Sequence, residues 1–100
     1  NAVYLWTFNA SSASVTLTAV NSSTSTLKKP RGLQYDIYNN LYVADRENSR
    51  VVMYCPNVTV GRVAVASSTL NQPYDVAFDS DLNMYVVDGG THNVIKFNRL

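Results

Sequence analysis

The chain has 100 residues and a formal net charge of +1, from eight Lys and Arg against seven Asp and Glu. It is therefore one small domain or a piece of a larger one, with no strong field toward nucleic acid or an acidic membrane surface. Hydrophobic residues make up 46%, too many for a disordered chain. No apolar run reaches the ~20 residues that a membrane-spanning helix needs.

Seven Tyr, three Phe and one Trp stand among many Val, Thr and Ser, a mix that suits pleated, half-buried surfaces. Taken from the N terminus, short β-branched or aromatic runs predict strands at about residues 2–8, 14–20, 31–36, 40–45, 50–55, 60–66, 74–79, 83–88 and 93–98. Each is bounded by Pro, Gly, Asn, Asp or Ser, and no window carries a helical period. Residues 9–14 and 21–26, rich in Ser and Thr, read as loops. The runs Leu41-Tyr42-Val43-Ala44 and Met84-Tyr85-Val86-Val87 are apolar on both faces, so both faces need cover. The chain opens at Asn1 in what reads as the middle of a strand, without a leader pattern. The expectation is a mature fragment or a piece of a longer repeat protein.

An internal repeat organises these strands. Leu27-Lys28-Lys29-Pro30-Arg31-Gly32-Leu33-Gln34-Tyr35-Asp36 returns as Leu70-Asn71-Gln72-Pro73-Tyr74-Asp75-Val76-Ala77-Phe78-Asp79. Asn40 to Asp45 returns as Asn83 to Asp88, and Val51 to Tyr54 as Val94 to Phe97, always 43 residues on and without a gap. Over the 28 positions from Leu27 to Tyr54, eight are identical and six exchange similar apolar residues. That density in one register is more than composition produces. Val3-Tyr4-Leu5-Trp6 aligns with Val51 to Tyr54 at an offset of 48, the extra length falling in the two Ser-rich loops. The period matches a four-stranded propeller blade, and in a propeller each blade is sandwiched between its neighbours.

The pattern Pro30-Arg31-Gly32-Leu33-Gln34-Tyr35-Asp36, Asn40-Leu41-Tyr42-Val43-Ala44-Asp45, Asn48-Ser49-Arg50-Val51-Val52-Met53-Tyr54 resembles the NHL repeat. The second copy departs from it, with Asp75 for the Gly, Gly89-Gly90 for Arg46-Glu47, and Asn93 for the Arg. The resemblance implies an all-β fold of four-stranded antiparallel blades, about two per chain: a partial blade over 1–26, a full repeat over 27–69 and a partial repeat over 70–100. It also implies six-bladed rings, most of which bind protein or RNA, while a few relatives are lyases. Two blades cannot close a ring and would expose apolar faces. The expected partner is therefore the chain itself, three copies closing a ring head to tail, or the missing blades of a parent chain. Nine strands leave one surplus in such a ring.

Asp45 and Asp88 close the second strand of each repeat. They read as turn braces whose carboxylates accept backbone N–H groups, with Arg50 pairing to Asp45. Asp79-Ser80-Asp81-Leu82-Asn83 opens like a calcium loop but lacks the following Gly and the closing Glu, so it reads as a hairpin turn. One His and one Cys cannot supply the three or four ligands of a zinc site, and no cofactor is expected. His92 belongs to an exposed loop. Cys55 has no flanking base, cannot form an internal disulfide, and reads as a small, partly buried thiol. Trp6, Tyr54 and Phe97 share one repeat position and read as packing between blades.

Lys28, Lys29 and Arg31 form the one basic cluster, in a loop that propellers place beside Arg46 and Glu47; the matching loops of the second copy offer Gln72, Tyr74, Thr91 and His92. These nine residues are the candidate ligand contacts, by loop position alone. One basic blade is a poor groove for phosphates, which need several cations along a track. The reading is a non-catalytic binding or scaffold module that presents loops to a protein or glycan, without a membrane role. An RNA-binding face, or a fragment of a metal-dependent propeller lyase or hydrolase, is the alternative. Sequons at Asn9, Asn21 and Asn57 are glycosylation candidates and point to an extracellular or secreted location.

Overall fold

The computed structural model describes residues 1–5, 15–20 and 25–99. The described chain is all-β, built of small antiparallel sheets. Its strands are β1 (Val3–Leu5), β2 (Val15–Leu17), β3 (Ala19–Val20), β4 (Ser25–Thr26), β5 (Leu33–Tyr35), β6 (Leu41–Asp45), β7 (Arg50–Tyr54), β8 (Arg62–Val65), β9 (Pro73–Phe78), β10 (Met84–Asp88) and β11 (Asn93–Phe97). A 3₁₀ turn, Arg46–Asn48, joins β6 to β7. Strands pair in sequence order, giving β1–β2, β3–β4, the four-stranded β5–β6–β7–β8 and the three-stranded β9–β10–β11.

The two full hairpins share one register. Leu41, Val43 and Asp45 face Tyr54, Val52 and Arg50, and Met84, Val86 and Asp88 face Phe97, Ile95 and Asn93. Each pair sits 43 residues beyond its counterpart, so the sequence repeat is also a repeat of hydrogen-bond register. An Asx turn leads into each hairpin. Asp36 accepts the N–H groups of Tyr38 and Asn40 at 2.9 Å, and Asp79 accepts those of Asp81 and Asn83, also at 2.9 Å. The Asn83 N–H and side-chain amide, with the Tyr85 hydroxyl, hold the Asp79 carboxyl below its usual range. Asn39 and Leu82, at the same repeat position, both take φ 65, the left-handed conformation such a turn demands.

Alternation along β6 and β7 gives the four-stranded sheet two apolar faces. Leu41, Val43, Val52 and Tyr54 join Leu17, Val20 and Leu27 in one core cluster, with Val3, Val15 and Val63 against it. Ala44 and Val51 join Leu70, Val76, Met84 and Val86 in a second, with Tyr42, Phe78, Ile95 and Phe97 packed on it. Tyr42 meets Phe78 edge to face, ring centroids 4.8 Å apart. The middle sheet thus lies between its neighbours in a three-layer stack, which explains why its second strand has no polar face.

Tyr54 is buried, donates its hydroxyl to Ala19 O at 3.2 Å, and has its pKa pushed up to about 12, chiefly by burial. Phe97 is half-buried on the second cluster. Trp6, its counterpart, lies outside the described residues, as do residues 6–8 of the first expected strand.

Three local details differ from the expected pattern. Residues 14–20 do not form one strand: Thr18 separates β2 from β3, and its carbonyl accepts the Leu27 N–H at 3.0 Å. Residues 25–26, expected as loop, form β4 against β3. Val20 also bridges Gly61 in parallel, and Gly61 N–H donates to Ala19 O at 3.0 Å. A side chain at 61 would strike the Val52 and Tyr54 side chains, which come within 2.8 Å of its Cβ position, so glycine is required for this close approach.

The outer layers are less complete. Among the described residues β1 pairs only with β2. Beside it, on the middle sheet, Leu33 and Tyr35 are 48% and 52% exposed. A cavity of about 520 Å³ opens there, lined by Val3, Leu17, Leu33, Tyr35, Leu41 and Tyr54 among others. At the opposite end, Val87 and Val94 of the last sheet are 44% and 65% exposed.

Candidate functional site

The two buried carboxylates organise one end of the stack. Asp45 is fully buried. It accepts the Lys28 N–H at 2.6 Å, the Asn48 side-chain amide at 2.9 Å and Arg50 Nε at 2.7 Å. Arg50 also donates to Thr26 O and Ser25 Oγ. Asp88, also fully buried, accepts the N–H groups of Asn71, Gln72 and Gly90 and the Thr91 hydroxyl at 2.7–3.2 Å. Burial alone would raise the Asp88 carboxyl; these donors outweigh it and hold the group below the ordinary carboxylate value. In each repeat the aspartate ties the loop before the inner strand to the turn after the second strand. Asp45 does so with one cation, Asp88 with neutral donors only.

With the loops fixed, their side chains meet between the middle and last sheets. Two guanidinium groups lie over the Tyr74 ring, Arg31 at 5.2 Å and Arg46 at 5.8 Å from its centroid. These are cation–π distances. The ring rests on Gly89, where a Cβ would come 2.8 Å from Cζ. The departure from the repeat at this position is therefore steric. Gly90 is similar, since a Cβ there would meet Asn71 at 2.7 Å. Glu47 accepts from Lys29 Nζ at 3.2 Å and Arg46 Nη2 at 3.5 Å. The Arg46 Nε is buried and has no protein acceptor.

Beside this cluster is a polar recess of about 360 Å³ lined by Arg46, Glu47, Ser49, Asn71 and Gln72. Ser49 donates to Asn71 O at 2.5 Å. The recess offers guanidinium and amide donors with a carboxylate acceptor, which suits a ligand recognised by hydrogen bonding and charge.

Of the nine candidate contacts, Arg31, Arg46, Glu47, Gln72, Tyr74 and Lys29 come together here. Lys28 is exposed at the same end, with its backbone committed to Asp45. Thr91 and His92 are exposed on the next turn, where His92 takes φ 60 and Thr91 holds Asp88. Ser49 and Asn71 were absent from the candidates. Repeat equivalence carried the signal, since Ser49 matches His92 and Asn71 matches Lys28.

Cys55 is half-buried, with Arg62 Nη2 4.0 Å from its sulfur. Asn57 is exposed in a turn at φ 62; Asn9 and Asn21 lie outside the described residues. Among the described residues no group of three or more His, Cys, Asp or Glu could hold a metal ion.

Compared with protein-family models and with curated proteins, the sequence finds no match.

Proposed function

We propose that the chain is a non-catalytic binding and scaffold module: a propeller segment of NHL type that closes a ring head to tail and presents the loops around Tyr74 to a protein or glycan ligand. One observation carries this reading. Sheets 43 residues apart in sequence stack in the same orientation, each covering one face of the next, and the outermost layers leave apolar area uncovered. A stack with a fixed front and back adds further copies in one direction only, and in a β-propeller that addition closes. At about two blades per chain, three copies make a six-bladed ring.

The binding half rests on the loop end. Tyr74 supplies a rigid, amphipathic contact, and Arg31, Arg46 and Lys29 leave the cluster cationic after Glu47 is paired. Rigid aromatic and guanidinium groups of this kind anchor interfaces. On this reading the protein is extracellular.

Light scattering across a range of concentrations tests the assembly. A mass near three chains is the expected result, and a monomer at all concentrations overturns it. For the loop face, Tyr74→Ala with Arg46→Ala is expected to weaken capture of a protein or glycan at least tenfold. A ligand whose affinity instead falls steeply with salt identifies nucleic acid as the partner.

A further inference from the structure

We propose that β1 of one copy replaces β11 on the edge of β10 in a second copy, so that the second copy's β9–β10 hairpin fills the cavity beside β1. This rests on the head-to-tail reading and supplies its contacts.

The sequence makes β1, β7 and β11 equivalent, through Val3, Val51 and Val94. Packing agrees with that alignment. Val3 lies against the first core cluster and Val51 within the second, each facing the next sheet. Val94 is turned the same way and is exposed. On β7 and β11 this residue sits opposite an inner strand: Val51 faces Ala44, and Val94 faces Val87. Among the described residues β1 carries no such strand.

The space for one is present. The 520 Å³ cavity shares Leu17, Leu41 and Tyr54 with the first core cluster, so it continues an interface already packed. At the repeat-equivalent place between the middle and last sheets, β9 and β10 fill it, burying Val76, Met84 and Val86. The occupant is thus a hairpin of the β9–β10 type. Its other face is available: Tyr85 pairs with Ala77 and Val87 with Asp75 on one side of the sheet, and Val87 is exposed. Docked by the repeat, Ala77, Tyr85 and Val87 cover Leu33, Tyr35 and Leu41.

Within one chain, Gly32 abuts Asp75 and the Tyr74 carbonyl; shifted by one repeat, Asp75 of the incoming hairpin stands against Gly32 and the Arg31 carbonyl of the receiving copy. Arg31 lines a second opening beside Val3 and Tyr4.

The register follows: Val87 opposite Val3, Val86 opposite Tyr4. β11 is the strand released, because β1 and β11 claim the same edge. That resolves the odd strand count, with two strands from each of two copies making one four-stranded sheet.

The test is cysteine bridging in the full chain with Cys55→Ser. Val3→Cys with Val87→Cys, joined by a short bifunctional maleimide, is expected to link copies into a ladder ending at three chains. Val87→Cys with Val94→Cys reports the competing in-chain pair. A mass of three chains with only the Val87–Val94 bridge overturns the exchange and leaves the assembly standing. A monomer with no bridge between chains overturns both, and other sequence then fills the cavity. Because cysteines can disturb packing, Val87→Asp is a second probe: Val87 is exposed in the single chain and is covered only in the proposed docking. It is expected to lower the assembled fraction at least tenfold, and an unchanged fraction in a folded variant overturns the docking.

Discussion

The middle sheet meets its two neighbours with the same residue pattern and different results. Against the last sheet, Ala44 and Val51 bury Met84 and Val86, and Tyr42 meets Phe78; the interface is packed along its inner strands. Against the first sheet, Leu41, Val43, Val52 and Tyr54 are equally apolar, yet a cavity borders Leu41 and leaves Leu33 and Tyr35 half exposed. The difference lies in which strands stand opposite. β9 and β10 cover the inner half of one face, while β1 and β2 cover only the outer half of the other. Apolar patterning creates the demand for cover, and only strand supply meets it.

The largest break in this comparison comes from the buried anchors. Asp45→Ala leaves Arg50, 13% exposed, without its carboxylate and should cost about 4 kcal/mol, read from the urea midpoint. The loss should be larger than for Asp88→Ala, whose donors are neutral.

Next come the equivalent core residues Met84 and Leu41. Met84→Ala, in the filled interface, should cost about 3 kcal/mol. Leu41→Ala, beside the cavity, should cost only about 2 kcal/mol in the monomer, since a group bordering a void already lacks partners on one side. If the ring forms, the gap between them should close at concentrations where assembly is complete, which unfolding at two concentrations would reveal.

Asp88 sharpens the contrast through pH. Its folded carboxyl lies below the unfolded value of about 3.8. The sign is therefore fixed: its contribution is fully present above that value and is lost as pH falls through the lower folded value. Asp88→Asn should cost about 2 kcal/mol at pH 7, and the variant should lose less stability than the parent between pH 5 and about pH 3. Equal losses in parent and variant would remove Asp88 as a cause of acid sensitivity.

Gly89→Ala should have the smallest effect, about 1 kcal/mol, because the Tyr74 ring can move. Its signature would be local: displacement of Tyr74 from Arg46, read as a changed chemical shift of the ring protons.

Much of this was legible in the chain itself. Short β-branched and aromatic runs bounded by turn residues placed the strands, and the 43-residue offset aligned Asp45 with Asp88 and Tyr42 with Tyr85. Such features depend on neighbours in sequence and on alternation along a strand, which a single chain displays directly. The break at Thr18 and the two-residue strand Ser25–Thr26 were not legible. They arise where Val20 and Ala19 meet Gly61, some forty residues away, and no local signal marks such a meeting.

By itself, then, the sequence determined the strands, their repeat register and the need for apolar cover on both faces of β6, because β-strand chemistry is periodic and local. Only the tertiary structure decided which face is covered and by what, that Arg31, Arg46 and Gly89 meet at the Tyr74 ring, and that a cavity stands beside β1. Those outcomes depend on distances between segments brought together by packing, and pattern along the chain carries no measure of them.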